Sequence, residues 1–145
     1  TASLAAEVVM PEHLAIYAAS KAGVCHYCEA VKGVLATKGI GVSILLPGPV
    51  KSRIHEAHEN RPEQLRAESG YKASEERLSR RIVGDDWMNP VEVGNLVADG
   101  ILSNATYLVT HGVFRPAMQA RFDAVMAATP DRSEPLPNFG QYRDE

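Results

Sequence analysis

The sequence predicts an α/β fold in which helices alternate with strands of a parallel sheet. A long helical pattern, from about Leu14 to Lys38, runs almost directly into a short apolar segment, Val42–Leu46. The alternation then returns, with a capped helix opening at Asn89 and a second apolar run at Tyr107–Thr110. Helix followed by buried strand is the signature of a sheet whose faces are covered by helices.

Residues 1–13 read as a strand end and a loop, with Pro11 as a breaker. In the long helix Tyr17, Lys21, Val24, Cys28, Val31 and Leu35 recur at steps of four and three, so they share one face. Gly39 supplies its stop. Val42–Leu46 is near-continuously apolar and ends at Pro47-Gly48, as suits a strand buried on both faces. Residues 51–88 are polar and weakly periodic, with a helix predicted around Ser74–Ile82. A connection that long reads as a lid. Asn89-Pro90-Val91-Glu92 combines an N-cap, a first-turn proline and an acidic third position. The helix it opens turns Val93, Leu96, Val97 and Ile101 inward. A last helix, Pro116 to Ala128, presents Met118, Phe122, Val125 and Met126 to the core, and residues 129–145 form a loose tail.

The totals exclude several classes of function. The chain has 145 residues, enough for one domain with a core, and a net charge of -3. Its one basic cluster, Arg77 to Arg81, is flanked by Glu75, Glu76, Asp85 and Asp86, which reads as a solvated face and not a nucleic-acid surface. No apolar run approaches the ~20 residues of a membrane span, and no secretory leader opens the chain. Cys25 and Cys28 form a C-x-x-C, but His13, His55, His58 and His111 offer no second ligand pair at metal spacing. The pair reads as core thiols in a reducing cytoplasm, with no metal.

Chemistry enters with Tyr17 and Lys21, four apart and therefore side by side on the helix. A free phenol titrates near ~10 and is a poor base at neutral pH. A neighbouring ammonium favours the phenolate and fits it to exchange a proton with an alcohol or carbonyl oxygen. Ser3 stands upstream, where its hydroxyl can bond the same oxygen.

Three stretches, in order, resemble the short-chain dehydrogenase/reductase family. Thr1-Ala2-Ser3-Leu4-Ala5-Ala6 is similar to its active-site serine motif, with Ala6 where glycine is usual. Tyr17-Ala18-Ala19-Ser20-Lys21-Ala22-Gly23 is similar to its Y-x-x-x-K helix. Pro47-Gly48-Pro49-Val50-Lys51-Ser52 is similar to its P-G-x-V-x-T turn, with Ser52 for threonine. The likeness covers residues 1–128, the C-terminal half of such an enzyme. It implies a partial Rossmann-type, doubly wound parallel sheet lacking its N-terminal dinucleotide-binding strands. It implies Tyr17 as general acid/base, Lys21 on the nicotinamide ribose, and Ser3 positioning the substrate oxygen. Pro47, Gly48, Val50 and Ser52 would then meet the nicotinamide end of NAD or NADP. Tyr71, Trp87 and Met88 of the lid are candidate substrate contacts. The lid's Arg53, His55, Arg61 and Arg66 suit a polar or anionic substrate.

The resemblance also implies what is missing. No G-x-x-x-G-x-G or G-x-G-x-x-G turn occurs among the glycines, so the pyrophosphate site is absent. The family's active-site asparagine and the residue choosing NAD or NADP belong to the same absent half. The expectation is a chain that starts inside a longer polypeptide and is inactive alone. Val42–Leu46 and one face of the long helix would lose partners, leaving it marginally stable or self-associated through its long helices. The parent would interconvert a small secondary alcohol and a ketone. Two readings stand against it: a non-catalytic truncated fragment keeping an oligomerisation surface, and a binding module without turnover. The intact Ser3, Tyr17 and Lys21 favour the oxidoreductase.

Overall fold

The computed structural model describes residues 1–54, 61–65, 84 and 87–131. Along them run helix α1 (Ala15–Ala36), strand β1 (Ile44–Leu46), helix α2 (Pro90–Leu102), strand β2 (Tyr107–Val109) and helix α3 (Arg115–Ala128). Short three-ten turns occupy Leu4–Ala6, Glu12–Leu14, Glu63–Leu65 and Gly112–Phe114. The helix expected at 74–82, Tyr71 and most of the tail lie outside the described residues.

The sheet is parallel, with Ile44 opposite Tyr107, Leu45 opposite Leu108 and Leu46 opposite Val109. On the other side of β1 the amide of Ala2 donates to the Leu45 carbonyl at 2.8 Å, and that of Leu4 to the Pro47 carbonyl at 3.0 Å. Residues 2–4 therefore run alongside β1 in the same direction. Pro47 has no N–H with which to extend that ladder, and beyond it the first chain folds into the Leu4–Ala6 turn.

Alternation along the strands splits the sheet into two faces. Ile44 and Leu46 point to the α1 side, where they form the core with Ala2, Leu4, Ala6 and Cys25. Leu45 and Leu108 share the opposite face, and Leu108 meets α2 at Gly100. Helices on both faces of a parallel sheet are the arrangement the sequence predicts.

Both helix ends behave as their sequences require. The Asn89 side chain accepts the Val91 amide at 2.8 Å and caps α2, with Pro90 in its first turn. Past α1, Gly39 takes a φ of 71°, the Gly39 amide bonds the Ala36 carbonyl and the Ile40 amide bonds the Leu35 carbonyl. That paired closure needs a left-handed residue, which glycine adopts without penalty.

Three expectations need correction. β1 does not lose its partners: Ile44 and Leu46 are each 2% exposed, because residues 2–4 and β2 flank the strand. On α1 both thiols join the core as expected, Cys25 at 1% exposure and Cys28 partly buried against it, because the helix lies over the Leu4–Ala6 turn. On α2 Val93 is buried and Leu96 and Val97 are half-buried as expected, but the last inward position is Gly100 and Ile101 is exposed, since Leu108 fills the space against the helix. On α3 only Met118 packs on the core, while Phe122, Val125 and Met126 are more than half exposed. Among the described residues, no helix is long and apolar enough to cross a membrane.

Candidate active site

Ser3 ends the extended run beside β1 and starts the Leu4–Ala6 turn. It is buried, and its Oγ accepts the Ala5 amide at 3.1 Å. This is the usual capping arrangement, and a hydroxyl that accepts from the backbone keeps its own proton to donate. Tyr17 lies in the first turn of α1, with its side chain partly exposed. Lys21, one turn on, places its ammonium 5.6 Å from the Tyr17 ring centroid. The helical spacing does make them neighbours, and the contact falls on the ring face, where a cation is attracted by the π cloud.

The turn after β1 is held from β2. The Gly48 amide donates to Thr110 Oγ1 at 2.9 Å, and Thr110 Oγ1 lies 2.5 Å from His111 Nδ1. A Cβ at position 48 would stand 2.7 Å from that same His111 nitrogen, so only glycine lets the turn come so near. One step further, Val50 and Met88 form a parallel bridge. The Met88 amide donates to the Pro49 carbonyl and the Lys51 amide to the Met88 carbonyl. The two ends of the 51–88 insert are thereby fastened together.

These elements enclose an open groove of about 430 Å³. It is lined by Ser3, Tyr17, Pro47, Gly48, Val50 and Ser52, and by Trp87 from the lid. Lys21 and Met88 are not among its lining residues: Lys21 stands beside the Tyr17 ring and Met88 acts through its backbone. Tyr71 lies outside the described residues. The groove also takes in Val8, Met10, Leu14 and Phe114, which the sequence reading passed over. Three apolar residues in a row, Val8 to Met10, inside a segment without periodicity were the available signal. A separate hollow of about 480 Å³, beside Val109, His111 and Phe122, holds none of the predicted site residues.

Away from the groove, Glu29 ties α1 to β2. Its carboxylate accepts the Tyr107 hydroxyl at 2.7 Å and lies 3.2 Å from His26 Nδ1. That hydrogen bond, aided by burial and nearby negative charge, pushes the Tyr107 phenol up to about 12. Burial, with Glu7 and Glu29 nearby, raises the Cys25 thiol. Cys25 and Cys28 are both free. Among the described residues, no group of three or more His, Cys, Asp or Glu side chains is placed to hold a metal ion.

With this geometry in view, known proteins give a consistent likeness. The family model for short chain dehydrogenases matches residues 1–63. A C alpha-dehydrogenase of Sphingobium sp. is 30% identical over 121 residues, covering 82% of this chain and 39% of that protein. The crystal structure of a short chain dehydrogenase/reductase from Burkholderia phymatum in complex with NAD superposes with a TM-score of 0.74 at 27% identity, over 94% of this chain and 50% of that one. A structure from Novosphingobium aromaticivorans, described as a candidate short-chain dehydrogenase, gives 0.64 at 22% identity over 95% of this chain and 38% of that one, a likeness of fold alone. The chain thus spans half or less of the length of each of these relatives.

Proposed function

The chain belongs to the short-chain dehydrogenase/reductase family, and on that premise we propose that it supplies the reacting end of an NAD(P)-dependent oxidoreductase interconverting a secondary alcohol and a ketone. The observation that carries this is that Ser3, Tyr17 and the Pro47–Ser52 turn line one groove.

The donor set suits one end of the cofactor. Prolines and glycine at 47–49 give a turn with few amide donors, fit for a flat, weakly polar ring, while hydroxyls from Ser3, Tyr17 and Ser52 suit oxygen partners. Among the described residues no glycine-rich turn opens a helix toward a pyrophosphate. We therefore assign the nicotinamide end to this chain, with NAD and NADP equally open, and propose that the 145 residues alone do not turn over. The bound cofactor would accept hydride from the alcohol carbon or return it to the ketone.

The chain's own residues have separable tasks. Ser3 donates its free proton to the substrate oxygen and fixes that oxygen beside Tyr17. Tyr17 takes the alcohol proton at its phenolic oxygen during oxidation and gives it back during reduction. Lys21 sets its ammonium over the Tyr17 ring and helps hold that ring in place. Thr110 holds the Gly48 amide and so fixes the turn that the ring would rest on. The partly or fully exposed apolar side chains Ile16, Tyr27 and Val34 of α1 support self-association through that helix, in a reducing cytoplasm that keeps both thiols free.

Saturation-transfer NMR of NADH with the purified chain tests the assignment. The nicotinamide protons are expected to receive saturation and the adenine protons little. Transfer dominated by adenine, or none at all, would sink the proposal.

A further inference from the structure

The groove carries more information than the position of its hydroxyls. Apart from Ser3, Tyr17 and Ser52, its described lining is apolar: Val8, Met10, Leu14, Ile54, Trp87 and Phe114 form the wall together with the Leu4–Ala5 and Pro47–Val50 stretches. No charged side chain is among its described lining residues. Arg53 and Arg61, whose charge suggested an anionic substrate, are in the described set and do not line it. A carboxylate or phosphate moved from water against these described residues would lose hydration with no cation among them in return, a cost. An alkyl or aryl group would gain from leaving water.

We infer that the groove selects a secondary alcohol or ketone whose non-reacting side is an apolar alkyl or aryl group, gripped by Met10, Leu14, Trp87 and Phe114, and that it rejects hydroxy acids. This rests on the oxidoreductase reading above for which end of the substrate meets Ser3 and Tyr17. The apolar wall itself does not depend on that reading.

Trp87 is the sole tryptophan of the chain and lines the groove, so its fluorescence reports occupancy without any turnover. The purified 145-residue chain would be titrated with isopropanol, a secondary hexanol, cyclohexyl methyl carbinol and lactate. The expected result is a saturable Trp87 response to the hexanol and the carbinol, tightening roughly fourfold per added methylene, with none to lactate. Met10→Gln and Val8→Thr place polar atoms in the wall, the second nearly without change of shape, and each should weaken carbinol binding several-fold. A saturable response to lactate with a blank carbinol titration would overturn the inference, and so would no response to any alcohol. The NADH experiment separates the two claims. Carbinol binding without nicotinamide contact would remove the oxidoreductase reading and leave the groove's selection of apolar groups standing. Nicotinamide contact with a blank carbinol titration would do the reverse.

Discussion

The Gly48 amide donates to the hydroxyl of Thr110, 2.9 Å away, and so links the turn after β1 to the end of β2. Thr110→Val keeps the shape and removes the acceptor. A lost hydrogen bond of this kind costs about 1 kcal/mol. The Gly48 amide should then exchange with deuterium faster, while the Leu4 amide, bonded to the Pro47 carbonyl, keeps its rate. Unchanged exchange at Gly48 would show that the turn stands without Thr110.

Tyr17→Phe removes the phenolic oxygen and leaves the ring beside Lys21. In the whole protein kcat should fall roughly 10²–10⁴-fold, the usual worth of a positioned acid/base. Cofactor affinity should hardly move. Steady-state kinetics with a parallel cofactor titration separates the two effects, and a wild-type kcat would dismiss Tyr17 as the proton carrier.

Gly100→Ala tests the packing of α2 on β2. In an open helix this change stabilises by about 1 kcal/mol. Here the new Cβ would lie 2.2 Å from Leu108 Cδ2, and overpacking of that kind costs roughly 1–3 kcal/mol. The melting temperature should therefore fall, and in a Leu108→Ala background the same substitution at 100 should cost less. A rise in the single variant would mean that the contact is looser than described.

Tyr107 gives a pH dependence. Glu29 accepts a hydrogen bond from its hydroxyl and raises its folded value to about 12, against roughly 10 for an unfolded phenol. The contribution to stability is whole below about pH 10 and is lost as pH rises toward about 12. Half of the side chain faces solvent, so the effect is small. The wild type should lose melting temperature across that window more steeply than Tyr107→Phe, and parallel curves would count against the link.

The two thiols should react unequally. Cys25 is buried with its thiol raised by burial, whereas Cys28 is half exposed. The folded chain should consume one equivalent of a thiol reagent quickly, at Cys28, and a second only on unfolding. Peptide mapping of the alkylated chain identifies the site, and early label on Cys25 would contradict its place in the core.

The elements were legible where a local rule fixes them. Asn89-Pro90 marks a helix start, Gly39 a stop, and the spacing from Tyr17 to Leu35 a helix, because each follows from backbone geometry within a few residues. Periodicity shows that a face is apolar and not what covers it, which is why Phe122, Val125 and Met126 read as core and stand exposed. The pairing of residues 2–4 with β1 was hidden because three residues are too few to display alternation. Ser3, Tyr17 and the Pro47–Ser52 turn were found through motif order, and the groove does bring them together. Its apolar wall comes from separate loops at Val8, Leu14 and Phe114, whose meeting is a property of the fold and of no single stretch.

The bridge between Val50 and Met88 bears on how such a scaffold can vary. An insert whose two ends leave the body at one point puts no demand on its own length. Closing a longer loop adds only about 0.6 kcal/mol per doubling. The stretch between Ser52 and Trp87 can therefore be lengthened, shortened or exchanged by inheritance or by graft while β1, β2 and the hydroxyl pair stay in register. The reacting hydroxyls and the Met10, Leu14 and Phe114 side of the groove thus stand outside the piece of chain that can vary, which meets the body at a single rung.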